Sequence, residues 1–246
     1  MKKMEKMVAG FLLAAASGVL QTVNAEEQPP EHQLSYNIGA VSDYRYRGVS
    51  QTRLDPALQG GLDYTHTPSG LYAGTWLSTI KWTGDAGGDG NVEWDLYGGK
   101  RGDLGSGVSY DVGGLYYAYP QNGLAPSANT FELYGQLGFG PAYAKYSHSL
   151  TNLFGTADSK HSGYLDVGAN VDTGWNSVTL QLHAGRQDVR HQGALSYTDY
   201  KVGLSKDFGV ATAGLAWVKT NTGAYRAPDG RNLGRSAAVL SLSRTF

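Results

Sequence analysis

The sequence predicts an all-β fold, an antiparallel transmembrane β-barrel of about twelve strands. Three observations predict it. Apolar and polar residues alternate with a period of two along nearly the whole chain. The alternating segments are each about ten residues long, which is the length a tilted strand needs to cross a bilayer core. The connections alternate between short turns and longer polar loops, which is typical of outer-membrane barrels.

The composition excludes several other classes of protein. The 246 residues contain 20 Lys and Arg, 21 Asp and Glu, and no cysteine, for a net charge of −1. Such a balance gives no electrostatic footprint for binding nucleic acid. The lack of cysteine excludes disulfide frameworks, cysteine–zinc sites and cysteine nucleophiles. The 35 glycines and 17 tyrosines favour many short strands joined by turns.

Residues 1–25 are predicted to be a cleaved signal peptide. They have a basic start, an apolar stretch from Val8 to Leu20 and a small-residue ending at Ala25. The apolar stretch is shorter than the ~18–20 residues of a spanning helix. We therefore expect an exported protein with a periplasmic segment at 26–33 and an outer-membrane barrel at 34–246.

The twelve predicted strands each have one apolar and one polar face. In the first, Leu34, Tyr36 and Ile38 share one face, and Ser35 and Asn37 lie on the other. The predicted segments are 34–47, 57–66, 71–82, 91–101, 107–118, 130–139, 142–151, 163–171, 177–186, 197–206, 210–219 and 237–246.

The predicted connections fall into two groups. The long polar ones, expected outside the cell, are 48–56, 83–90, 119–129, 152–162, 187–196 and 220–236. The short ones, expected in the periplasm, are 66–70, 102–105, 140–141, 172–175 and 206–209. An even number of strands with this alternation is the pattern of bacterial outer-membrane barrels.

The apolar faces are expected to contact membrane lipid, with aromatic residues near the strand ends at the membrane interface. The soluble alternative is a sandwich with these aromatics in its core. Phe246 is an aromatic residue at the end of an alternating strand. This ending resembles the C-terminal signal by which the outer-membrane assembly machinery recognises barrels, so we expect that machinery as a partner. The predicted interface aromatics are Tyr44, Tyr46, Trp94, Tyr110, Tyr116, Trp217 and Phe246.

The polar faces are expected to line the lumen. Their excess of acidic side chains predicts a narrow, weakly cation-preferring channel for passive diffusion of small polar solutes. The alternative is that the charges pair and close the lumen, leaving a structural or interaction barrel that presents its extracellular loops. The predicted pore-lining residues are Asp43, Arg45, Arg47, Asp63, Glu93, Asp95, Asp111, Glu132, Lys145, Asp166, His183, Asp199 and Lys201.

Two groups of these residues suggest more specific chemistry. Asp43, Arg45 and Arg47 are spaced two apart on one predicted strand face. They form either an anion grip at the outer mouth or an ion-pair ladder with Glu93 and Asp95.

His183 shares a face with Asp166 and Asp199, which suggests a carboxylate–histidine pair for acid–base chemistry or, alternatively, a lumen hydrogen-bond network. The chain carries no Walker or dinucleotide motif. We therefore expect a protein that is not an enzyme and has no cofactor or metal site.

Six stretches carry a family resemblance: SDYRYRGVSQT (42–52), PALQGGLDY (56–64), GLYAGTW (70–76), EWDLYGG (93–99), SYDVGGLYYAYP (109–120) and FELYGQLGFG (131–140). They resemble the TorF-type porin family of Gram-negative outer-membrane proteins. The resemblance is close in the first half of the chain and looser in the second, where it rests on the strand pattern and the ending SLSRTF. It implies a barrel with a transport role and supplies no catalytic motif, substrate or cofactor.

Overall fold

Twelve strands form one closed antiparallel barrel in the computed structural model, which describes residues 30–246. The predicted signal peptide lies outside the described residues. The wall strands are β1 (His32–Val41), β4 (Ala57–His66), β5 (Leu71–Thr79), β6 (Val92–Gly105), β7 (Val108–Ala118), β8 (Thr130–Phe139), β9 (Ala142–Ser149), β10 (Gly163–Asp172), β11 (Val178–Asp188), β12 (Tyr197–Asp207), β13 (Thr212–Thr220) and β14 (Ala237–Thr245). The predicted fold class and strand number are confirmed.

The loops add four short elements outside the wall. They are the hairpin of β2 (Arg45–Tyr46) and β3 (Val49–Ser50), helix α1 (Trp82–Asp85) and a 3-10 turn (Gly193–Leu195). Within residues 30–246 no helix is both long enough and apolar enough to cross a membrane.

The barrel closes between its first and last strands. β1 pairs with β14, with Ile38 opposite Arg244 and Val41 opposite Ser241, and its other edge pairs with β4. The backbones of Tyr36 and Phe246 exchange hydrogen bonds of 3.2 and 2.8 Å. Closure leaves the wall without a free strand edge, as a sheet in lipid requires.

The outer surface of the wall is apolar. Leu34 is 66% exposed and Leu240 is 61% exposed, and each wall strand places exposed apolar side chains on this surface. Exposed aromatic side chains lie near both ends of this band. At the end with short turns they include Tyr36, Tyr64, Phe139, Trp175, Phe208 and Phe246, and at the end with long loops Trp94, Tyr116, Tyr146, Tyr200 and Trp217. This arrangement is the one a membrane barrel presents to lipid.

The prediction for the first strand is wrong beyond Val41. The chain leaves the wall there and turns into the barrel, so Tyr44 is 7% exposed and Tyr46 packs edge-on against Tyr117 in the interior. Neither tyrosine lies at the membrane interface. Alternation continues through residues 42–47 in the sequence, but positive φ values at Arg47 and Gly48 break the extended chain.

Tyrosine–glycine pairs line the inner surface of the wall. Tyr97 lies opposite Gly74 and Tyr134 lies opposite Gly113 on neighbouring strands. A Cβ atom added to Gly74 would lie 2.4 Å from the Tyr97 ring, and one added to Gly113 would lie 2.5 Å from the Tyr134 hydroxyl. The tyrosine therefore occupies the space over its glycine, which accounts for the abundance of both residues in a tightly curved sheet.

Candidate functional site in the barrel lumen

The connection between β1 and β4, residues 42–56, folds into the barrel; we call it the inward segment. Its β2–β3 hairpin pairs Arg45 with Ser50 and Tyr46 with Val49. Three of its charged residues, Asp43, Arg45 and Arg47, are buried, whereas Arg53 and Asp55 are partly exposed. The three buried residues do not stack along the wall as one strand face, because they belong to a chain that crosses the lumen at the end with long loops.

Arg45 ties the inward segment to the loop that precedes β14. Its Nε donates to Asp43 Oδ2 at 2.6 Å, and its Nη1 lies 3.0, 3.0 and 2.9 Å from the carbonyl oxygens of Gly48, Leu233 and Arg235. Asp43 also accepts a hydrogen bond from Ser50. The guanidinium therefore donates hydrogen bonds both within the hairpin and to the neighbouring loop.

Arg47 reaches across the lumen to the opposite wall. Its guanidinium donates to both carboxylate oxygens of Glu132, at 2.6 and 3.1 Å, and to Gln187 Oε1 at 2.7 Å. It also lies 4.2 Å from the ring centre of Tyr164. A buried bidentate pair of this kind fixes geometry strongly. The predicted ladder of the two arginines with Glu93 and Asp95 is wrong, because Asp43 and Glu132 are the carboxylates that bind them.

Gly48 lets the inward segment approach the wall closely. It has a φ of +79°, and a Cβ atom there would lie 2.6 Å from Asp199 Cβ and 2.7 Å from Thr220 Cγ2. Only glycine fits this conformation and this space.

An aromatic cluster fills the other side of the outer mouth. Tyr44 donates its hydroxyl to Glu93 Oε1 at 2.8 Å and packs edge-on against Trp76. Phe154 from a long loop packs against Tyr46 and Tyr117. The mouth is thus occupied by packed side chains on one side and by the arginine contacts on the other.

Beneath the inward segment lies a cavity of about 330 Å³ inside the barrel. Predicted lumen residues that line it, besides Asp43, Arg45 and Arg47, are Asp95, Lys145, Asp166, His183, Asp199 and Lys201. Asp63 and Asp111 also belong to the interior, where they accept hydrogen bonds of 2.6 Å from Tyr97 and Tyr72. The structure therefore brings these charged residues together in the lumen, while their role in conduction stays a prediction.

His183 lies between two carboxylates in this cavity. Its Nδ1 is 2.8 Å from Asp166 Oδ1 and its Nε2 is 2.6 Å from Asp199 Oδ1. Tyr164 donates to the second oxygen of Asp199 at 2.9 Å. Because both ring nitrogens are engaged, neither is directed at a nucleophile, and the arrangement fits a hydrogen-bond network better than a general base.

Asp55 and Tyr225 are among the groups in the long loops whose pKa values are shifted. The Lys81 ammonium, 2.6 Å from Asp55 Oδ2, lowers the pKa of Asp55. Burial raises the pKa of Tyr225 to about 12, and its hydroxyl donates to the Leu195 carbonyl at 2.8 Å. These contacts hold the loops around the mouth in place.

The comparison with protein families decides where the chain belongs. The sequence profile of a family described as "Bacterial protein of unknown function (Gcw_chp)" matches residues 24–246. The chain belongs to the Gcw_chp family. This description does not use the TorF-type label, so that finer resemblance stays a prediction. No curated protein sequence matches this Gcw_chp protein.

Solved structures similar to the Gcw_chp protein include a porin and a second membrane-protein structure. A KdgM porin in complex with disordered oligogalacturonate aligns with a TM-score of 0.54 and 7% identity, over 87% of this chain and 97% of the porin. A structure reported under "Unveiling the Mechanism Behind the in-meso Crystallization of Membrane Proteins" aligns with a TM-score of 0.52 and 8% identity, over 87% and 83% of the two chains. At these identities the similarity shows the fold alone.

Other structural matches include an enzyme. Outer membrane phospholipase A from Escherichia coli aligns with a TM-score of 0.47 and 12% identity, over 87% of this chain and 89% of that chain. Because a shared fold does not determine function, the function of the Gcw_chp protein must be argued from the lumen.

Two features of the Gcw_chp protein were missed by the sequence analysis. The inward segment has a signal in the Arg-Gly pair at 47–48, where a glycine follows an arginine within an otherwise alternating stretch. The second is a group at the end with short turns, Glu31, His32 and His66, whose side chains converge. Its residues are far apart in sequence, and only the pairing of β1 with β4 joins them.

Proposed function

We propose that this protein is an outer-membrane channel for small polar solutes whose constriction is the inward segment. The observation that carries the proposal is a cavity lined by charged side chains inside a closed barrel whose outer surface is apolar. Charged groups inside such a barrel are solvated when the lumen holds water, whereas a dry lumen would leave them costly to bury.

The lumen charges support a preference for cations. Asp95 lines the cavity, and its Oδ1 has no hydrogen-bond partner among the described residues. Interior acidic side chains outnumber basic ones; the acidic set is Asp43, Asp63, Glu93, Asp95, Asp111, Glu132, Asp166 and Asp199, and the basic set is Arg45, Arg47, Arg101, Lys145 and Lys201. Side chains of one sign along a pore favour counter-ions. An acidic sugar polymer such as the oligogalacturonate of the KdgM complex does not suit this lining.

The packed outer mouth favours a second candidate, a closed barrel that presents its loops to a partner. The contact of Arg47 with Glu132 joins the inward segment to the wall across the lumen, and the aromatic cluster fills the space beside it. Barrels with few strands are commonly filled by their own side chains. The two candidates differ in one property, which is whether the native mouth passes ions.

Single-channel recording in planar bilayers separates the two candidates. Val41 and Ala57 are cross-strand partners, so a two-residue Asn-Gly turn can replace residues 42–56 without changing the register of β1 and β4. We expect small conductance steps from the native protein and several-fold larger steps from the shortened variant. Both proteins are first shown to be folded by their heat-modifiable migration in gels.

Equal steps from both proteins would show that the inward segment is not the constriction, whereas silence of the native protein contradicts the channel. If the native protein is silent and the shortened variant conducts, the barrel is closed in its native state. If neither conducts, the lumen is sealed below the inward segment as well. The ion preference is tested by the reversal potential in a salt gradient, where we expect cation selectivity that falls in Asp95→Asn; anion selectivity of the native channel would refute the preference.

A further inference from the structure

Three side chains converge on the outside of the barrel at the end with short turns. Glu31 directly precedes β1, His32 is its first residue, and His66 is the last residue of β4. His32 and His66 are cross-strand partners, so their side chains lie on the same face of the sheet. Their ring centres are 5.2 Å apart.

The ligand atoms of the three residues have the spacing of a metal site. Glu31 Oε1 lies 3.3 Å from His66 Nε2 and 3.8 Å from His32 Nε2, and all three ligand atoms lie within 4.8 Å of one another. Zinc bonds of ~2.0–2.1 Å in a tetrahedral arrangement place neighbouring ligand atoms about 3.3 Å apart. Only small side-chain movements are needed to reach that geometry.

Hydrogen bonds at the other nitrogens orient both rings. His32 Nδ1 lies 2.8 Å from the Tyr64 hydroxyl, and His66 Nδ1 lies 2.7 Å from Ser69 Oγ. Both Nε2 atoms are therefore turned toward the Glu31 carboxylate. Histidine ligands of metals are held in this way, with the second ring nitrogen bonded to a neighbouring polar group.

The backbone fixes the position of Glu31 as well. The Thr67 amide donates to the Glu31 carbonyl at 2.9 Å, and the Thr67 hydroxyl donates to the Pro30 carbonyl at 2.8 Å. These bonds hold residues 30 and 31 beside the 66–70 turn. The carboxylate is thus placed next to the two imidazoles by its own main chain.

We propose that Glu31, His32 and His66 form a binding site for a divalent transition metal, with Zn²⁺ as its ligand. Two imidazoles and one carboxylate are a known zinc ligand set, which leaves a fourth position for water. Imidazole donors disfavour Mg²⁺ and Ca²⁺, which take oxygen ligands. Because Glu31 and His32 are exposed, the metal exchanges with solution, and bound metal would fasten the start of the barrel to the 66–70 turn.

Zinc titration tests the site. The protein is produced without a histidine tag and solubilised in detergent, and zinc binding is measured by competition with a coloured zinc indicator. We expect one zinc ion per chain for the native protein and at least a 100-fold loss of affinity in His66→Gln. Tyr64→Phe removes a hydrogen bond to the ligand His32 and leaves all three ligands in place. We expect it to lower the affinity for zinc about 10-fold.

The matched control is the double variant His148→Gln and His161→Gln. It removes another histidine pair, with ring nitrogens 3.1 Å apart, near the opposite end of the barrel. We expect it to bind zinc like the native protein. Absence of zinc binding by the native protein would overturn the proposal, as would equal binding by a folded His66→Gln variant or loss of binding in the control alone.

Discussion

The barrel wall and the inward segment are stabilised by different interactions. The wall is held by a continuous ladder of backbone hydrogen bonds, and its side chains only have to be apolar outside and compatible with curvature inside. The inward segment has a single ladder of two residue pairs within its hairpin and depends on Arg45, Arg47 and Gly48 for its position. A wall of this kind tolerates many sequences, whereas the segment tolerates few.

This difference predicts where single substitutions have large effects. The pair of Arg47 and Glu132 is buried, so removing one partner leaves an unpaired charge in the interior. We expect Arg47→Met to lower the free energy of unfolding by about 3–5 kcal/mol, measured by urea titration in lipid vesicles. The double variant with Glu132→Gln should recover part of the loss. A loss that the second substitution deepens would contradict this account of the segment.

Neighbouring residues of one wall strand should differ in how much the same added charge destabilises the protein. Leu182 faces outward, and Gln181 lines the cavity. We expect Leu182→Arg to lower the unfolding free energy by about 2–4 kcal/mol, the usual cost of arginine on the lipid face near the bilayer middle. Gln181→Arg should change stability little, because its side chain reaches the lumen. The same vesicle titration measures both, and equal losses would contradict the assignment of the two faces.

Two glycines with the same positive φ angle separate backbone strain from packing. Gly48 and Gly209 both have a φ of +79°, but only Gly48 has neighbours where a Cβ atom would lie. Alanine introduces the same left-handed strain at both positions. We therefore expect Gly48→Ala to be about 1–3 kcal/mol more destabilising than Gly209→Ala, the cost of overpacking. Gly48→Ala should also raise the channel conductance, and identical behaviour of the two variants would show that the segment is not in close contact with Asp199.

The exposed end of the inward segment should contribute least to the stability of the protein. Lys81 lowers the pKa of Asp55. The pair therefore stabilises the fold fully when the pH is above the ordinary aspartate pKa of about 3.9. This stabilisation is lost as the pH falls through the lower pKa that Asp55 has in the folded protein. Solvent screens the pair, which limits its contribution to less than about 1 kcal/mol. We expect the unfolding free energy of Lys81→Met to be slightly lower than that of the native protein at pH 7 and equal to it at strongly acid pH. A difference that persists in acid would exclude this charge pair as its origin.

The wall could be predicted from the sequence because its physical requirement repeats every two residues. Leu240 and Leu242 alternate with serines, and the same rule holds in each wall strand. The rule also gave the inward direction of Asp166, His183 and Asp199, whose contacts the structure shows. The prediction of a wall strand from this alternation fails at residues 42–47, because an alternating pattern is equally compatible with a hairpin inside the lumen.

The partners of the charged residues could not be predicted, because they depend on which strands face each other across the barrel. Arg47 and Glu132 are separated by 85 residues and lie on non-adjacent elements. The site of Glu31, His32 and His66 was missed for a related reason. Its three residues meet only through the register of β1 and β4, which sequence alternation leaves undetermined.

The place where the inward segment binds has a consequence for how the protein assembles. Its contacts come from β8, β11, β12 and residues 233–235, so the surface that it occupies is complete only when the chain as far as residue 235 is in place. Although residues 42–56 are synthesised early, they reach their final position late. If the cylinder closes first, we expect it to have a wide opening at this end until the polypeptide near its own beginning fills it.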